Sequence, residues 1–171
     1  GPTASGKSVL AVRLARKFHG EVISADSRQI YKGVNIGSDK VTEKEMRGVP
    51  HRLLDIVSLK RKFSVVQYKK LAEKTIEEVL NKGKVPIICG GTGLYIDALI
   101  NDWRLPKVKP NLKLRRELEK KSAEELFEKL KKLDPKRSRS IDRHNKRRLV
   151  RALEIVIQTG KPIPSLIRAN K

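Results

Sequence analysis

Apolar and polar positions change period several times along the chain, and each change marks an element. Residues 7–18, with Val9-Leu10-Ala11-Val12-Arg13-Leu14-Ala15-Arg16 at their centre, predict a helix. Residues 21–25 read as a short buried strand, Val22-Ile23-Ser24, that ends at Asp26. Residues 27–62 follow neither period and carry Gly33, Gly37, Gly48 and Pro50 as punctuation, so they read as irregular. Ser64 and Gln67 have the spacing of a capping box. They open a helix running to about Asn81, with Tyr68, Leu71, Ala72, Ile76, Val79 and Leu80 on one stripe and Gly83 closing it. Val85-Pro86-Ile87-Ile88-Cys89 predicts a second buried strand, which leads through Gly90-Gly91-Thr92-Gly93 into a helix starting near Leu94-Tyr95-Ile96.

Alternating helix and strand argues for an α/β fold, a parallel sheet with flanking helices. Beyond Trp103 the pattern changes. Leu105-Pro106 and Pro110 mark a connection, and no further strand is evident. Helical patterns follow at 111–121, 123–133 and 146–158. Ser122 and Glu125 make another capping box, Asp134-Pro135 a turn and Thr159-Gly160 a helix end. Two parts are therefore expected: a core over residues 1–103 and an inserted all-helical module over residues 104–171.

The loop before the first helix carries the most specific chemistry. Gly1-Pro2-Thr3-Ala4-Ser5-Gly6-Lys7-Ser8 fits the phosphate-loop pattern G-x-x-x-x-G-K-[ST] without a gap. Glycines let backbone N–H groups curl toward phosphate oxygens, Lys7 adds a mobile cation, and the Ser8 hydroxyl is placed to ligate Mg2+. The following helix turns its positive end to the same anion. Such a loop normally follows a buried strand, which would precede Gly1, so the chain reads as cut at its N-terminus. Ligands in parallel sheets bind beyond the carboxyl ends of strands. The loop, the Asp26 turn and the turn at residues 90–93 are thus expected at one crevice.

Charge adds a partner. Lys and Arg number 40 against 19 Asp and Glu, a net charge of +21. Residues 103–171 hold +14 of this and residues 1–102 only +7. Solubility does not require so much, and an extended polyanion, nucleic acid first, is the expected partner. One cysteine excludes an internal disulfide framework and suits a reducing cytoplasm. No apolar run reaches the length of a membrane span. A monomer is expected.

Asp26, where a strand opens into the crevice, has three readings: magnesium held through water, a general base, or a turn cap. Ser27, Arg28 and Gln29 set a cation and an amide beside it, and an amide can read adenine. Thr92, between glycines, reads as an accessible hydroxyl, although Gly90 and Gly91 also suit a tight turn. On the last helix Leu149, Ala152, Leu153, Val156 and Ile157 predict the buried stripe. Arg147, Arg148 and Arg151 fall on the opposite arc, a spacing that suits a phosphate backbone or a solvated face. His19, His51 and His144 are scattered without metal-ligand spacing, and Cys89 reads as a small core residue.

Taken together these segments resemble one family, the tRNA dimethylallyltransferases. The likeness runs through residues 1–8, Ile23-Ser24-Ala25-Asp26-Ser27-Arg28-Gln29-Ile30-Tyr31-Lys32-Gly33, and Val49-Pro50-His51-Arg52-Leu53-Leu54-Asp55-Ile56. It continues in Gly90-Gly91-Thr92-Gly93-Leu94-Tyr95 and Arg148-Leu149-Val150-Arg151-Ala152-Leu153-Glu154. The resemblance implies transfer of a dimethylallyl group from dimethylallyl diphosphate to the exocyclic amine of the adenosine 3′ of a tRNA anticodon. It implies the diphosphate on residues 1–8, with Lys7 serving catalysis, Asp26 as general base and Thr92 at the reaction centre. It assigns Asp26, Ser27, Arg28 and Gln29 to the target base, and Lys113, Arg147, Arg148, Leu149, Val150 and Arg151 to tRNA contact on the anticodon stem-loop. Lys113 stands where many relatives have arginine, which keeps the charge and loses the bidentate fork. The family's C-terminal continuation is also absent from this sequence. A kinase using ATP and magnesium on the same loop accounts for residues 1–8 and Asp26, but not for the charge of residues 103–171.

Overall fold

Two five-residue apolar stretches, too short for helices and rich in β-branched residues, make the strands on which everything else is laid. In the computed structural model, which describes residues 5–34, 40–106 and 108–164, they are β1 (Gly20–Ser24) and β3 (Val85–Cys89). A two-residue strand β2 (His51–Arg52) joins the other side of β1. All pairings are parallel and the order is β2-β1-β3, with Val22 opposite His51 and Ile87, and Ile23 opposite Arg52 and Ile88. Gly20 is required at the start of β1, since a Cβ there would meet the Val85 carbonyl oxygen at 2.6 Å.

The chain divides into two compact units, Gly1–Trp103 and Arg104–Lys171. In the first, the pleat sends alternate residues to two layers. Val22 and Ile87 pack with Ala11, Val12 and Ala15 of α1 (Lys7–Lys17). Ile23 and Ile88 face Tyr68, Ala72 and Val79 of α3 (Val65–Asn81) and Tyr95 of α4 (Gly93–Ile100). The expected α/β core with a small parallel sheet is present. The Ser64–Gln67 capping box forms as its spacing predicts. Leu80, however, is 54% exposed, because the inward stripe of α3 ends at Val79.

The stretch read as irregular, 27–62, contains more order than its sequence suggests. Besides β2 it holds a short helix α2 (Glu43–Met46) with its own Thr42–Glu45 capping box, and a bridge between Tyr31 and Val57.

The second unit is helical: α5 (Leu112–Glu119), α6 (Ala123–Leu133), a one-turn α7 (Pro135–Ser138) where a plain turn was expected, and α8 (Lys146–Thr159). Asp134 caps α7 through its N–H acceptor role toward Arg137, and its other carboxylate oxygen accepts from the Ile163 N–H at 2.7 Å. Leu118, Leu126, Leu130, Leu149 and Leu153 fill the core. On α8 the buried arc is wider than the period-based stripe. It takes in Val150 and Ile155, while Ile157 is 38% exposed.

One buried carboxylate organises cations in each unit. Glu21 on β1 is 1% exposed and accepts from Arg52 Nε at 2.8 Å and Lys84 Nζ at 2.9 Å, with Lys82 at 3.8 Å. Burial pushes its pKa up, but the Lys84 and Arg52 hydrogen bonds and the charges of Arg52 and Lys82 outweigh it and hold it at about 2. Glu154 on α8 is fully buried and accepts from Arg115 at 2.8 Å through both guanidinium contacts, from Arg151, and from the Asn111 N–H at 2.7 Å. Burial raises its pKa too, and these hydrogen bonds reverse the sign.

Two outcomes follow for stability. Because Glu21 titrates at about 2 in the fold and near 4.5 ordinarily, its contribution is complete above pH 4.5 and lost as pH falls toward 2. Urea midpoints measured across that window should fall more steeply for the native sequence than for Glu21→Gln; parallel curves would remove Glu21 from the acid response. Arg115→Ala leaves Glu154 buried with one cation fewer and should cost about 3 kcal/mol in chemical denaturation.

Candidate active site

In the first unit the turn that opens α1 and the turns at the carboxyl ends of β1 and β3 meet around a cleft of about 260 Å3. Ser5, Gly6, Lys7, Ser8 and Val9 border it from the start of α1, Ser24, Asp26 and Gln29 from the end of β1, and Cys89, Gly90 and Gly91 from the end of β3. Residues 1–4 of the phosphate loop lie outside the described residues. Gly6 caps α1 with φ +74°, a left-handed conformation that glycine adopts without strain. The Lys7 ammonium donates to Ser5 Oγ at 3.4 Å.

Asp26 is held as a turn residue and still borders the cleft. Its Oδ1 accepts from the N–H groups of Arg28 at 2.8 Å and Gln29 at 3.2 Å. The other oxygen lies toward Gly91, where an added Cβ would sit 3.5 Å from Oδ2. Asp26 thus caps its own turn through Oδ1, and the residue also borders the cleft. Neighbouring contacts fix the backbone beneath it. Ala25 N–H donates to the Cys89 carbonyl at 2.7 Å, Thr92 N–H donates to the Ala25 carbonyl at 3.0 Å, and Tyr68 O–H donates to the Ser24 carbonyl at 3.1 Å. Gly90 is obligatory: a Cβ there would lie 2.3 Å from the Ala25 carbonyl carbon and oxygen.

Thr92 differs from the sequence expectation of an accessible hydroxyl. Its Oγ1 accepts from the Ser27 N–H at 2.9 Å and donates to Ser27 Oγ at 3.1 Å, so it ties the Asp26 turn to the start of α4. It does not border the cleft. Cys89, expected in the core, is half-buried and borders it; burial raises its thiol pKa, and the charge of Lys7 lowers it in part.

Sequence reasoning missed the opposite wall: Val22, Val41, Glu45, His51 and Leu54. His51 Nδ1 lies 2.9 Å from the Val49 carbonyl, which can only accept, so that nitrogen carries the proton. Glu45 closes its capping box on Thr42, and the Thr42 N–H and hydroxyl hold its pKa down. For His51 and Leu54 the signal lay in Val49-Pro50-His51-Arg52-Leu53-Leu54-Asp55-Ile56, a motif legible as family likeness but not as chemistry.

In the second unit the assigned residues separate. Lys113, Arg147 and Arg148 are exposed. Leu149 and Val150 are buried in the helical core at 0% and 5% exposure, so their side chains cannot touch an RNA, a correction to the contact segment. Arg151 is half-buried and engaged within the protein. Its guanidinium pairs with Glu154 and donates to the Val108 carbonyl at 3.0 Å, and the three-residue spacing to Glu154 explains why.

A family model described as IPP transferase matches residues 29–171. The tRNA dimethylallyltransferase of Caldanaerobacter subterraneus subsp. tengcongensis is 47% identical over 168 residues, covering 95% of this chain and 53% of that protein. The crystal structure of the full-length tRNA isopentenylpyrophosphate transferase from Bacillus halodurans superposes with a TM-score of 0.62 at 44% identity, covering 95% of this chain and 55% of that one. A eukaryotic dimethylallyltransferase crystallised acting on tRNA gives a TM-score of 0.79 at 33% identity, over 94% of this chain and 41% of that one. The chain belongs to the IPP transferase family. It spans about half the length of the curated relatives it matches.

Gly90→Ala should lower the thermal midpoint by the equivalent of about 2 kcal/mol, since backbone and not a flexible side chain occupies the space. Gly93→Ala, which meets nothing within 4 Å, should change it little. Equal effects would show that the close approach at Ala25 does not constrain the turn.

Proposed function

We propose that this chain carries the donor site and base of a tRNA dimethylallyltransferase, moving a dimethylallyl group from its diphosphate to the exocyclic amine of an adenosine beside the anticodon. The observation that carries the reading is a carboxylate, Asp26, bordering the same cleft as Lys7 and Ser8, with Val9, Val22, Val41 and Leu54 as apolar lining. A nucleotide or small-molecule kinase needs the phosphate end of this cleft but not its apolar side, and family membership does not favour it.

The loop N–H groups and Lys7 bind the diphosphate and take up the charge that builds as the allylic carbon–oxygen bond breaks. The Asp26 oxygen toward Gly91 accepts the proton that the adenine amine loses as its nitrogen forms the new bond to carbon. Two N–H donors on the other oxygen keep the carboxylate aimed during this exchange. The amine reaches the cleft only if its base leaves the anticodon-loop stack. The apolar lining excludes water from the electron-poor carbon. Thr92 acts here through Ser27, as a strut between the turns.

Magnesium fits the residues present. Ser8, Ser24 and Asp26 supply oxygens to the cleft, and among the described residues no cluster of three His, Cys, Asp or Glu forms a protein cage. That set suits an ion held mainly by substrate phosphates and water, where it would offset diphosphate charge. Exposed cations of the second unit, Lys113, Arg147 and Arg148 among them, supply a surface for the tRNA backbone. Among the described residues no helix is long and apolar enough to cross a membrane. We also read the helical unit as an insertion into a longer core, acting as a monomer in the cytoplasm.

Labelled dimethylallyl incorporation into tRNA tests the reading. In the full-length protein Asp26→Asn should reduce transfer by about 10^2- to 10^4-fold while tRNA affinity stays within a few-fold; undiminished transfer removes Asp26 as the base. Replacing Arg147 and Arg148 by Gln should flatten the salt dependence of tRNA binding by a slope of about 1–2. Arg151→Ala should instead be read out mainly as lost stability.

A further inference from the structure

We propose that Leu54 sets the length of hydrocarbon chain that the cleft accepts, an inference that rests on the prenyl-donor reading above. Strand parity breaks just after β2. In register, His51 lies beside Val22 and Arg52 beside Ile23, so His51 shares the α1 side of the sheet and Arg52 the α3 side. Continued alternation would send Leu53 to the side of His51. Leu53 instead is 7% exposed within the core cluster of Ile23, Tyr68 and Tyr95. Its φ is +63°, a left-handed conformation unfavourable for a leucine, and this turn of the backbone reverses the parity. Leu54, not Leu53, then borders the cleft.

A second strained residue holds the corner. Asp55 has φ +52°, its N–H donates to the Gln29 carbonyl at 3.2 Å, and its carboxylate accepts from Lys40 Nζ at 2.6 Å. The Lys40 side chain is 7% exposed and also donates to the Tyr31 carbonyl at 3.0 Å. Two left-handed non-glycine residues in three positions are unfavourable for the backbone and persist only where surrounding contacts impose them. These contacts hold the corner at Asp55, and the residue before it, Leu54, is half-buried and borders the cleft.

The strand order locates it. β1 lies between β2 and β3, so Asp26 is flanked by Gly90 and Gly91 on one side and by the continuation of β2 on the other. Leu54 lies two residues past the end of β2 and borders the cleft together with Asp26, Gly90 and Gly91. Cys89, Gly90 and Gly91 border the cleft from the β3 side with little side-chain bulk, and His51 and Leu54 border it from the β2 side. A glycine face admits a flat base, whereas an anchored leucine limits how far an alkyl chain extends from the reacting carbon. Leu54 touches no proton and no phosphate in this account, and it acts on the alkyl group alone.

The experiment compares five-carbon (dimethylallyl) and ten-carbon (geranyl) diphosphates as donors to tRNA for the unsubstituted full-length protein, Leu54→Ala and Leu54→Phe. One or two methylenes in an apolar pocket discriminate by about 10- to 200-fold. Leu54→Ala is expected to raise the ten- to five-carbon ratio of kcat/KM about 10-fold or more. Leu54→Phe is expected to depress five-carbon transfer about 10-fold, with KM for tRNA unchanged in both. Should the alanine variant fail to fold, the phenylalanine variant and the volume-conserving Leu54→Met, expected to keep the native preference, carry the test. If the native protein transfers the five-carbon chain and the folded variants keep its chain-length ratio within about 2-fold, the assignment of Leu54 is overturned alone. If the native protein transfers neither chain, the prenyl-donor reading itself is overturned.

Discussion

The structure depends on a close backbone stitch between the ends of two parallel strands. Ala25 gives its N–H to Cys89 and its carbonyl to Thr92, and Gly90 passes so near that no side chain fits between them. The Ser27–Thr92 pair closes the same seam from the side. A carboxylate at the next position has little freedom left. The residue before it is sewn to the end of β3, one of its own oxygens is engaged by its turn, and the residue borders the cleft. Preorganisation of this kind lowers the reorganisation that charge transfer would otherwise demand. The cost is geometric and is met by glycine at Gly90, where an added Cβ would lie 2.3 Å from the Ala25 carbonyl.

Charge is the second organising constraint. A chain with +21 needs its cations sorted, because like charges repel unless water or a counter-charge separates them. Glu21 and Glu154 do this from inside, each buried and each accepting from two or more cationic side chains. Arginines and lysines so engaged are structural. Others on α5 and α8, Lys113, Arg147 and Arg148 among them, are exposed and are the ones proposed above to meet the tRNA backbone. Sorting cations by whether a buried acid claims them separates Arg151 from Arg147 and Arg148, which their spacing alone does not.

Much of this was legible in the sequence where local chemistry repeats. Capping boxes at Ser64 and Ser122, the two apolar five-residue strands and the glycines at 90–91 each state a local rule that the fold obeys. The meeting of the loop, the Asp26 turn and the Gly90 turn followed from parallel topology. What escaped was whatever depends on distant partners. β2 is two residues long and has no period to read; only its place beside β1 makes it a strand. Left-handed φ at Leu53 and Asp55 is imposed by Lys40, Gln29 and the core, so Leu54 could not be told from Leu53. Glu154 stood in plain view inside Leu153-Glu154-Ile155, a charge within an apolar run. Its Arg151 partner three residues earlier was the clue that the pair is internal.

The central claim is that donor and base share one cleft. A crystal of the full-length protein soaked with an unreactive thiolo analogue of dimethylallyl diphosphate tests it most directly. The account requires the diphosphate on the N–H groups of the loop with Lys7 against it, and the alkyl chain in the cleft bordered by Asp26 and Leu54. Diphosphate bound at the loop with its alkyl chain directed out of that cleft, or bound away from the loop altogether, would contradict it.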